Sequence, residues 1–237
     1  MRTRTWPTVW SVIRLVAAAV ITTAVVGQFI TTIRTAIAND RDIPTTIANF
    51  FSFFTILSNL AGALALLAAV IWFFMRPSHE TREPAGVAVA LAAATTYLFI
   101  TGVVYNLLLR GYPTADDHVA WANEIVHVVA PLFLLIDLFV APTRRALPRR
   151  SALVILAVPI IWIAYTLLRG PLVVNPTTGV AFWYPYPFLN PNGVNGWGGV
   201  IAYVIGIALT FAIVASIVVW VGRRRVLALS SGMIPAR

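Results

Sequence analysis

The chain has 237 residues, of which 59% are hydrophobic and 11% charged, and its mean hydropathy is +0.86. A soluble domain cannot bury that much apolar surface in one core, so the composition excludes a water-soluble globular protein and indicates lipid as the surrounding solvent. The net charge is +9, and the chain contains arginine but no lysine. It has no cysteine, which excludes disulfides and thiolate chemistry.

Six apolar runs are long enough to cross a membrane, which takes about 20 helical residues at a rise of about 1.5 Å each. They cover residues 9–33, 47–74, 86–109, 119–141, 151–170 and 199–221. The first run is too long for a signal peptide, so we interpret it as a retained helix. The predicted fold is an all-α bundle of about six transmembrane helices, forming one transmembrane domain over residues 1–237.

Arginine is unevenly distributed between the two sets of loops. If the chain starts inside, twelve arginines lie in the inner loops and tails: Arg2, Arg4, Arg76, Arg82, Arg144, Arg145, Arg149, Arg150, Arg223, Arg224, Arg225 and Arg237. The outer loops carry four: Arg34, Arg41, Arg110 and Arg169. The positive-inside rule then predicts that both termini are cytoplasmic, in a plasma (inner) membrane. Arginines at span ends serve as topology signals and headgroup contacts, so we expect no nucleic-acid partner.

The outer loop at 171–198 is rich in Pro, Gly, Asn and aromatic residues, a composition that disfavours a helix. Trp183, Tyr184 and Tyr186 suit the membrane interface, where an amphipathic ring meets both water and acyl chains. This predicts an aromatic lid on the outer leaflet. An aromatic belt loop without a function fits the composition equally well.

Polar side chains fall at a similar depth in the outer halves of several spans. Their helical spacing places Thr55, Ser58 and Asn59 on one face, and Asn123, Glu124 and His127 on another. Gln28, Tyr105, Asn106, Tyr165 and Thr166 lie at the same level. Because polar groups in a membrane are expensive and usually mark a working site, we expect one shared cavity below the aromatic loop.

Each polar residue also has a structural interpretation. Thr55 can bond its own helix backbone, and Asn59 and Asn106 can link helices. Glu124 can pair with Arg169 or Arg110 at the interface, and Asp137 can be neutralised by Arg144 or Arg145. Each of these interpretations explains one residue, whereas a shared cavity explains all of them together.

His127 is the only histidine within a span, which limits the chemistry. One histidine cannot supply the paired axial ligands of a typical membrane haem, and no zinc ligand cluster or phosphate-binding glycine loop is visible. No cofactor or metal is therefore expected. A hydroxyl nucleophile with a base remains, or a proton or ion relay.

Three sequence motifs stand out along the chain. They are FFSFFTILSNL, Phe50 to Leu60, WANEIVHVVAPLFLLID, Trp121 to Asp137, and WYPYPFLN, Trp183 to Asn190. They resemble the aromatic–threonine segment, the fourth-helix signature and the Tyr-Pro-Phe-Leu loop of the androgen-induced and androgen-dependent TFPI-regulating membrane proteins and their small bacterial six-helix relatives. The motifs stand in the family's order and span most of the chain.

The resemblance implies an intramembrane threonine hydrolase of fatty-acid esters of hydroxy fatty acids, with Thr55 as nucleophile and His127 as the essential histidine. An imidazole can act as general base if its other nitrogen is held in the right tautomer, here by Asn123 or Glu124. The hydrogen bond to the developing oxyanion would then come from Asn59, Tyr105 or Asn106. The partners would be membrane lipids and a lipid-like substrate.

Two other functions stay open at this point. One is a proton-coupled transporter or relay using Glu124, His127 and Asp137. The other is a non-catalytic lipid-binding bundle in which the polar residues only link helices.

Overall fold

The computed structural model describes residues 5–77, 79–112 and 115–230, with residues 229 and 230 described by their backbone alone. Within these ranges it is all-helical and has no strand. The α-helices are α1 (Thr5–Ala38), α2 (Ile43–Phe50), α3 (Phe54–Met75), α4 (Ala85–Val104), α5 (Ala120–Glu124), α6 (Ala130–Val140), α7 (Ser151–Arg169) and α8 (Gly196–Ser230). A π-helical turn, Tyr105–Leu109, extends α4, and a second, Ile125–Val129, joins α5 to α6. Single 3-10 turns lie at Gly170–Leu172 and Pro187–Leu189.

In the part of the chain that the structure describes, six helical segments are long and apolar enough to cross a membrane, which confirms the predicted all-α, multi-pass architecture. They are Thr5–Ala38, Phe54–Met75, Ala85–Leu109, Ala120–Val140, Ser151–Leu172 and Gly196–Ala228. Large apolar side chains such as Leu153, Ile161 and Leu168 of α7 are more than half exposed. An outer surface of this kind is stable against acyl chains and unstable in water.

The predicted second span, 47–74, is wrong at its start. The chain breaks at 51–53, where Phe53 is extended, and α3 begins only at Phe54. The residues before the break form the separate helix α2, which Asp42 caps by accepting a hydrogen bond from the Thr45 N–H at 2.7 Å. Hydropathy runs unbroken through the aromatic segment, so it could not reveal the break. As a result Thr55 lies in the first turn of α3.

Helix α4 lies at the centre of the bundle, because it packs against α3, α6, α7 and α8. On one side Leu66, Leu91 and Leu98 form a buried cluster with α1 and α6. On the other, Tyr97 packs with Phe211 of α8, and its hydroxyl donates to the Ile155 carbonyl of α7 at 2.6 Å. The central helix therefore fixes the positions of both halves.

We call the end of the bundle where α1, α4 and α7 begin the terminal face, and the opposite end the site face. Arg2, Arg4 and Arg237, which the orientation prediction includes, lie outside the described residues. The terminal face contains a fully buried ion cluster. Arg14 Nε lies 2.6 Å from Asp137 Oδ1, and Arg14 Nη1 lies 2.8 Å from Glu83 Oε1.

Arg144 completes this cluster with a 2.6 Å contact to Asp137 Oδ2. Of the two arginines expected near Asp137, Arg144 pairs with it, whereas Arg145 donates to the main-chain carbonyl of Glu83. Trp10 adds an indole N–H to Asp137 Oδ1 at 2.7 Å. Buried charges are stable only when they are paired and hydrogen-bonded, so this cluster joins α1 and α6 to the segment that precedes α4.

Candidate active site

Thr55 is held at the amino-terminal end of α3, where the first backbone N–H groups have no partner within the helix. Its N–H donates instead to the Tyr186 hydroxyl at 3.2 Å. Its own Oγ1 lies 3.3 Å from His127 Nε2 and 3.2 Å from the Tyr186 hydroxyl. The side chain is 8% exposed. The structure thus brings a threonine hydroxyl, an imidazole and a phenol together at the positive end of a helix dipole.

A main-chain carbonyl sets the tautomer of His127. Nδ1 lies 3.0 Å from the carbonyl oxygen of Asn123, which can only accept a hydrogen bond. Nδ1 therefore carries the hydrogen, and Nε2 presents its lone pair to Thr55. The sequence pointed to Asn123 or Glu124 for this role, and it is the main-chain carbonyl of Asn123 that contacts Nδ1. The Glu124 carboxylate instead pairs with Arg110 at 2.9 Å, with both side chains almost half exposed.

Tyr105 and Asn123 hold the His127 imidazole in place. The Tyr105 ring stacks on His127 with centroids 3.8 Å apart and 20° between the planes. Its hydroxyl accepts a hydrogen bond from Asn123 Nδ2 at 2.6 Å. The imidazole is consequently fixed in both tilt and rotation.

Both π-helical turns lie at this site, Tyr105–Leu109 beginning with the stacked tyrosine and Ile125–Val129 containing His127. Such turns are rare and occur frequently at functional sites. Two asparagines support the second one: Asn59 Nδ2 donates to the Val126 carbonyl at 3.1 Å, and Asn106 Nδ2 to the His127 carbonyl at 3.3 Å. Together they tie α3 and α4 to the turn that carries the imidazole.

These contacts bear on the expected oxyanion donors. The amide of Asn59 is also bonded to the Thr55 carbonyl at 2.9 Å, and that of Asn106 to the Gly102 carbonyl at 2.8 Å. Both amides are thus committed to backbone, and the Tyr105 hydroxyl faces Asn123. The hydroxyl next to Thr55 belongs to Tyr186, which the sequence placed only in the lid. The sequence feature that could have identified Tyr186 as a site residue is the Tyr-Pro-Phe-Leu motif that begins with it.

The aromatic loop folds inward over the site. Trp183 packs edge-on against Phe53 at 5.6 Å, and the Arg169 guanidinium lies 5.5 Å from its ring. Tyr184 lies against Gly170, where an added Cβ would come within 2.1 Å of the ring. Burial raises the pKa of both Tyr184 and Tyr186, so both phenols stay neutral well into the alkaline range.

Apolar space adjoins the threonine. A cavity of about 50 Å³ is lined by Thr55, Tyr105 and Tyr186 together with apolar side chains. A second cavity of about 190 Å³ lies between α7 and α8. The two share four lining residues, Trp162, Phe188, Ile207 and Phe211. The two cavities are therefore neighbours, and apolar space extends from beside Thr55 to the region between α7 and α8.

The three residues of the relay hypothesis have different partners. Glu124 pairs with Arg110 at the site face, His127 contacts Thr55, and Asp137 belongs to the ion cluster at the terminal face. His127 and Asp137 are ten residues apart, which is about 15 Å along a helix. Within the described ranges, no group of three His, Asp or Glu side chains could hold a metal ion.

Comparisons of this chain with protein-family models, curated proteins and solved structures find no match. The resemblance to the androgen-induced family rests on the three sequence motifs.

Proposed function

We propose that the protein is an intramembrane hydrolase of lipid esters, with Thr55 as nucleophile and His127 as general base. The observation that carries the proposal is the 3.3 Å contact between Thr55 Oγ1 and His127 Nε2, made by an imidazole whose Nδ1 hydrogen is bonded to a carbonyl. A threonine hydroxyl is a weak nucleophile until a positioned base takes its proton. The buried imidazole beside the Thr55 hydroxyl supports this role for His127.

The reaction has two halves. Thr55 Oγ1 attacks the ester carbonyl carbon while His127 Nε2 accepts the hydroxyl proton, and the tetrahedral intermediate then expels the alcohol, which takes that proton. The carboxylic acid remains bound to Thr55 as an ester. A water molecule deprotonated by His127 attacks this ester and releases the acid, returning the proton to Thr55.

Negative charge on the former carbonyl oxygen develops beside the start of α3. The helix dipole favours an anion there. The Tyr186 hydroxyl, 3.2 Å from Thr55 Oγ1, is the donor best placed to bond the oxyanion. Because burial raises the pKa of Tyr186, the hydroxyl retains its hydrogen throughout the physiological range.

The substrate class follows from the family resemblance, and the apolar space beside Thr55 supports it. We expect a long acyl chain to occupy the cavity between α7 and α8, next to the cavity that Thr55 lines. Fatty-acid esters of hydroxy fatty acids are the substrate that the resemblance implies. We further propose that the terminal face is cytoplasmic in a bacterial plasma (inner) membrane, with the site in the outer half; the excess of arginine at the terminal face supports this.

The test is hydrolysis of a fatty-acid ester of a hydroxy fatty acid by the purified protein in detergent or liposomes. Thr55→Val keeps the side-chain shape and removes the hydroxyl, and His127→Gln removes the base. Each is expected to abolish turnover. Thr96→Val is the matched control, because Thr96 is fully buried on α4 and its hydroxyl donates to the Ala92 carbonyl of the same helix.

The outcomes separate the three functions. Full turnover by a folded Thr55→Val protein contradicts the mechanism. Proton flux in liposomes that depends on a pH gradient, without ester hydrolysis, favours the relay. Variants that change only the midpoint of thermal unfolding favour a non-catalytic lipid-binding bundle.

A further inference from the structure

A groove at the terminal face lies outside the candidate active site. Its cavity volume is about 430 Å³, and it lies between α8 and the segment that precedes α7. Arg149, Arg223 and Arg224 line it, together with Trp220 and Ile217. The reaction proposed above uses none of these residues.

The positive charge of this groove is uncompensated. Arg149, Arg223 and Arg224 are exposed, and none has an acidic partner in the part of the chain that the structure describes. Among the described residues, the acidic side chains of the terminal face are Glu80, Glu83 and Asp137, and the last two are enclosed in the buried ion cluster. A ligand with negative charge would therefore be attracted to the groove.

The polarity of the groove changes along α8. Ile217, Trp220 and Arg224 are separated by three and four residues, so they lie on one helix face. From Ile217 to Arg224 the rise is about 10 Å. Trp220 lies between the apolar Ile217 and the charged Arg224 along the helix. The Arg224 guanidinium is 5.3 Å from the Trp220 ring.

This order matches the profile of a phospholipid at a membrane surface. Acyl chains would contact Ile217, the glycerol esters would lie beside the Trp220 ring, and the headgroup phosphate would reach the arginines. Arginine presents several N–H donors in a planar fork and binds phosphate oxygens in pairs. We propose that this groove binds one anionic phospholipid of the leaflet at the terminal face.

The experiment measures lipid binding to the full-length protein in a neutral detergent by native mass spectrometry. The probes are palmitoyl-oleoyl phosphatidylglycerol and the matched phosphatidylcholine. Phosphatidylglycerol is expected to bind preferentially. The double variant Arg223→Gln/Arg224→Gln should lower its affinity by about tenfold or more, and Arg149→Gln by a smaller factor, without affecting phosphatidylcholine.

The control is the double variant Arg76→Gln/Arg150→Gln, which removes the same charge from the same face outside the groove. It should leave phosphatidylglycerol binding at the parental level. An equal loss in both double variants, or equal binding of the two lipids by the parent, overturns the proposal. A final measurement adds excess glycerol 3-phosphate to the protein with bound phosphatidylglycerol. Displacement of the lipid by this soluble phosphate would overturn the proposal of a phospholipid site.

Discussion

Tyr105 stacks on His127 with ring centroids 3.8 Å apart, and its hydroxyl accepts a hydrogen bond from Asn123 Nδ2, whose residue also supplies the carbonyl bound to His127 Nδ1. One tyrosine and one asparagine thus position the imidazole from two sides. A base held in this way reacts without reorganisation, which is the main structural requirement for general-base catalysis.

Tyr105→Leu is expected to lower kcat by about fivefold, because an aromatic stack contributes about 1 kcal/mol to holding the ring. Tyr105→Phe keeps the stack and loses only the bond to Asn123, so its loss should be smaller. The measurement is kcat for ester hydrolysis by the two variants. Equal rates for Tyr105→Leu and the parent would show that the stack does not position His127.

Tyr186→Phe is expected to lower kcat by about 100-fold, since a single oxyanion donor typically contributes that much. Tyr184→Phe is the matched control: it is a neighbouring phenol of the same loop that packs against Gly170. Comparison of kcat for the two variants tests the assignment. Equal effects would mean that the loop acts through packing alone.

The pH dependence of the parent follows from the same phenol. Burial raises the pKa of Tyr186 above its ordinary value of about 10, so the neutral donor persists to higher pH than in a solvated tyrosine. We expect no loss of kcat from deprotonation of Tyr186 between about pH 7 and 9.5. A decline in that range that Tyr186→Phe removes would contradict this.

Gly102→Ala is expected to lower activity while the protein stays folded. An added Cβ would come within 2.9 Å of the His127 carbonyl oxygen and 3.1 Å of Pro131 Cγ. Helix α4 must therefore move away from the π-helical turn that contains His127. Overpacking of this kind costs about 1–3 kcal/mol of unfolding free energy. Gly86→Ala, on the same helix with nothing within 4 Å of the added Cβ, is the control and should be neutral or slightly stabilising. Thermal unfolding and kcat are measured together.

Asp137→Ala is expected to destabilise the protein by about 3–5 kcal/mol, because it leaves Arg14 and Arg144 buried without their shared carboxylate. Asp116→Ala, which breaks the exposed pair with Arg41, should cost less than about 1 kcal/mol. Thermal unfolding in detergent measures both. Unchanged stability of Asp137→Ala would show that the ion cluster does not hold α1 and α6 together.

Hydropathy was sufficient for the six apolar segments, since spanning a membrane depends on length and composition alone. It could not locate the break before Phe54, where both flanking segments are apolar. The pairing of Arg14 with Asp137 joins residues 123 positions apart, and no local pattern encodes it. Likewise, the tautomer of His127 depends on a main-chain carbonyl, and the entry of Tyr186 into the site depends on how a distant loop folds.

The central claim is that Thr55 is a nucleophile activated by His127, and covalent labelling tests it most directly. The purified protein is incubated with a long-chain fluorophosphonate and analysed by intact mass and peptide mapping. The account predicts one phosphonyl adduct on Thr55 in the parent and in Thr96→Val, and none in Thr55→Val. A folded Thr55→Val protein that is labelled as fully as the parent would contradict it.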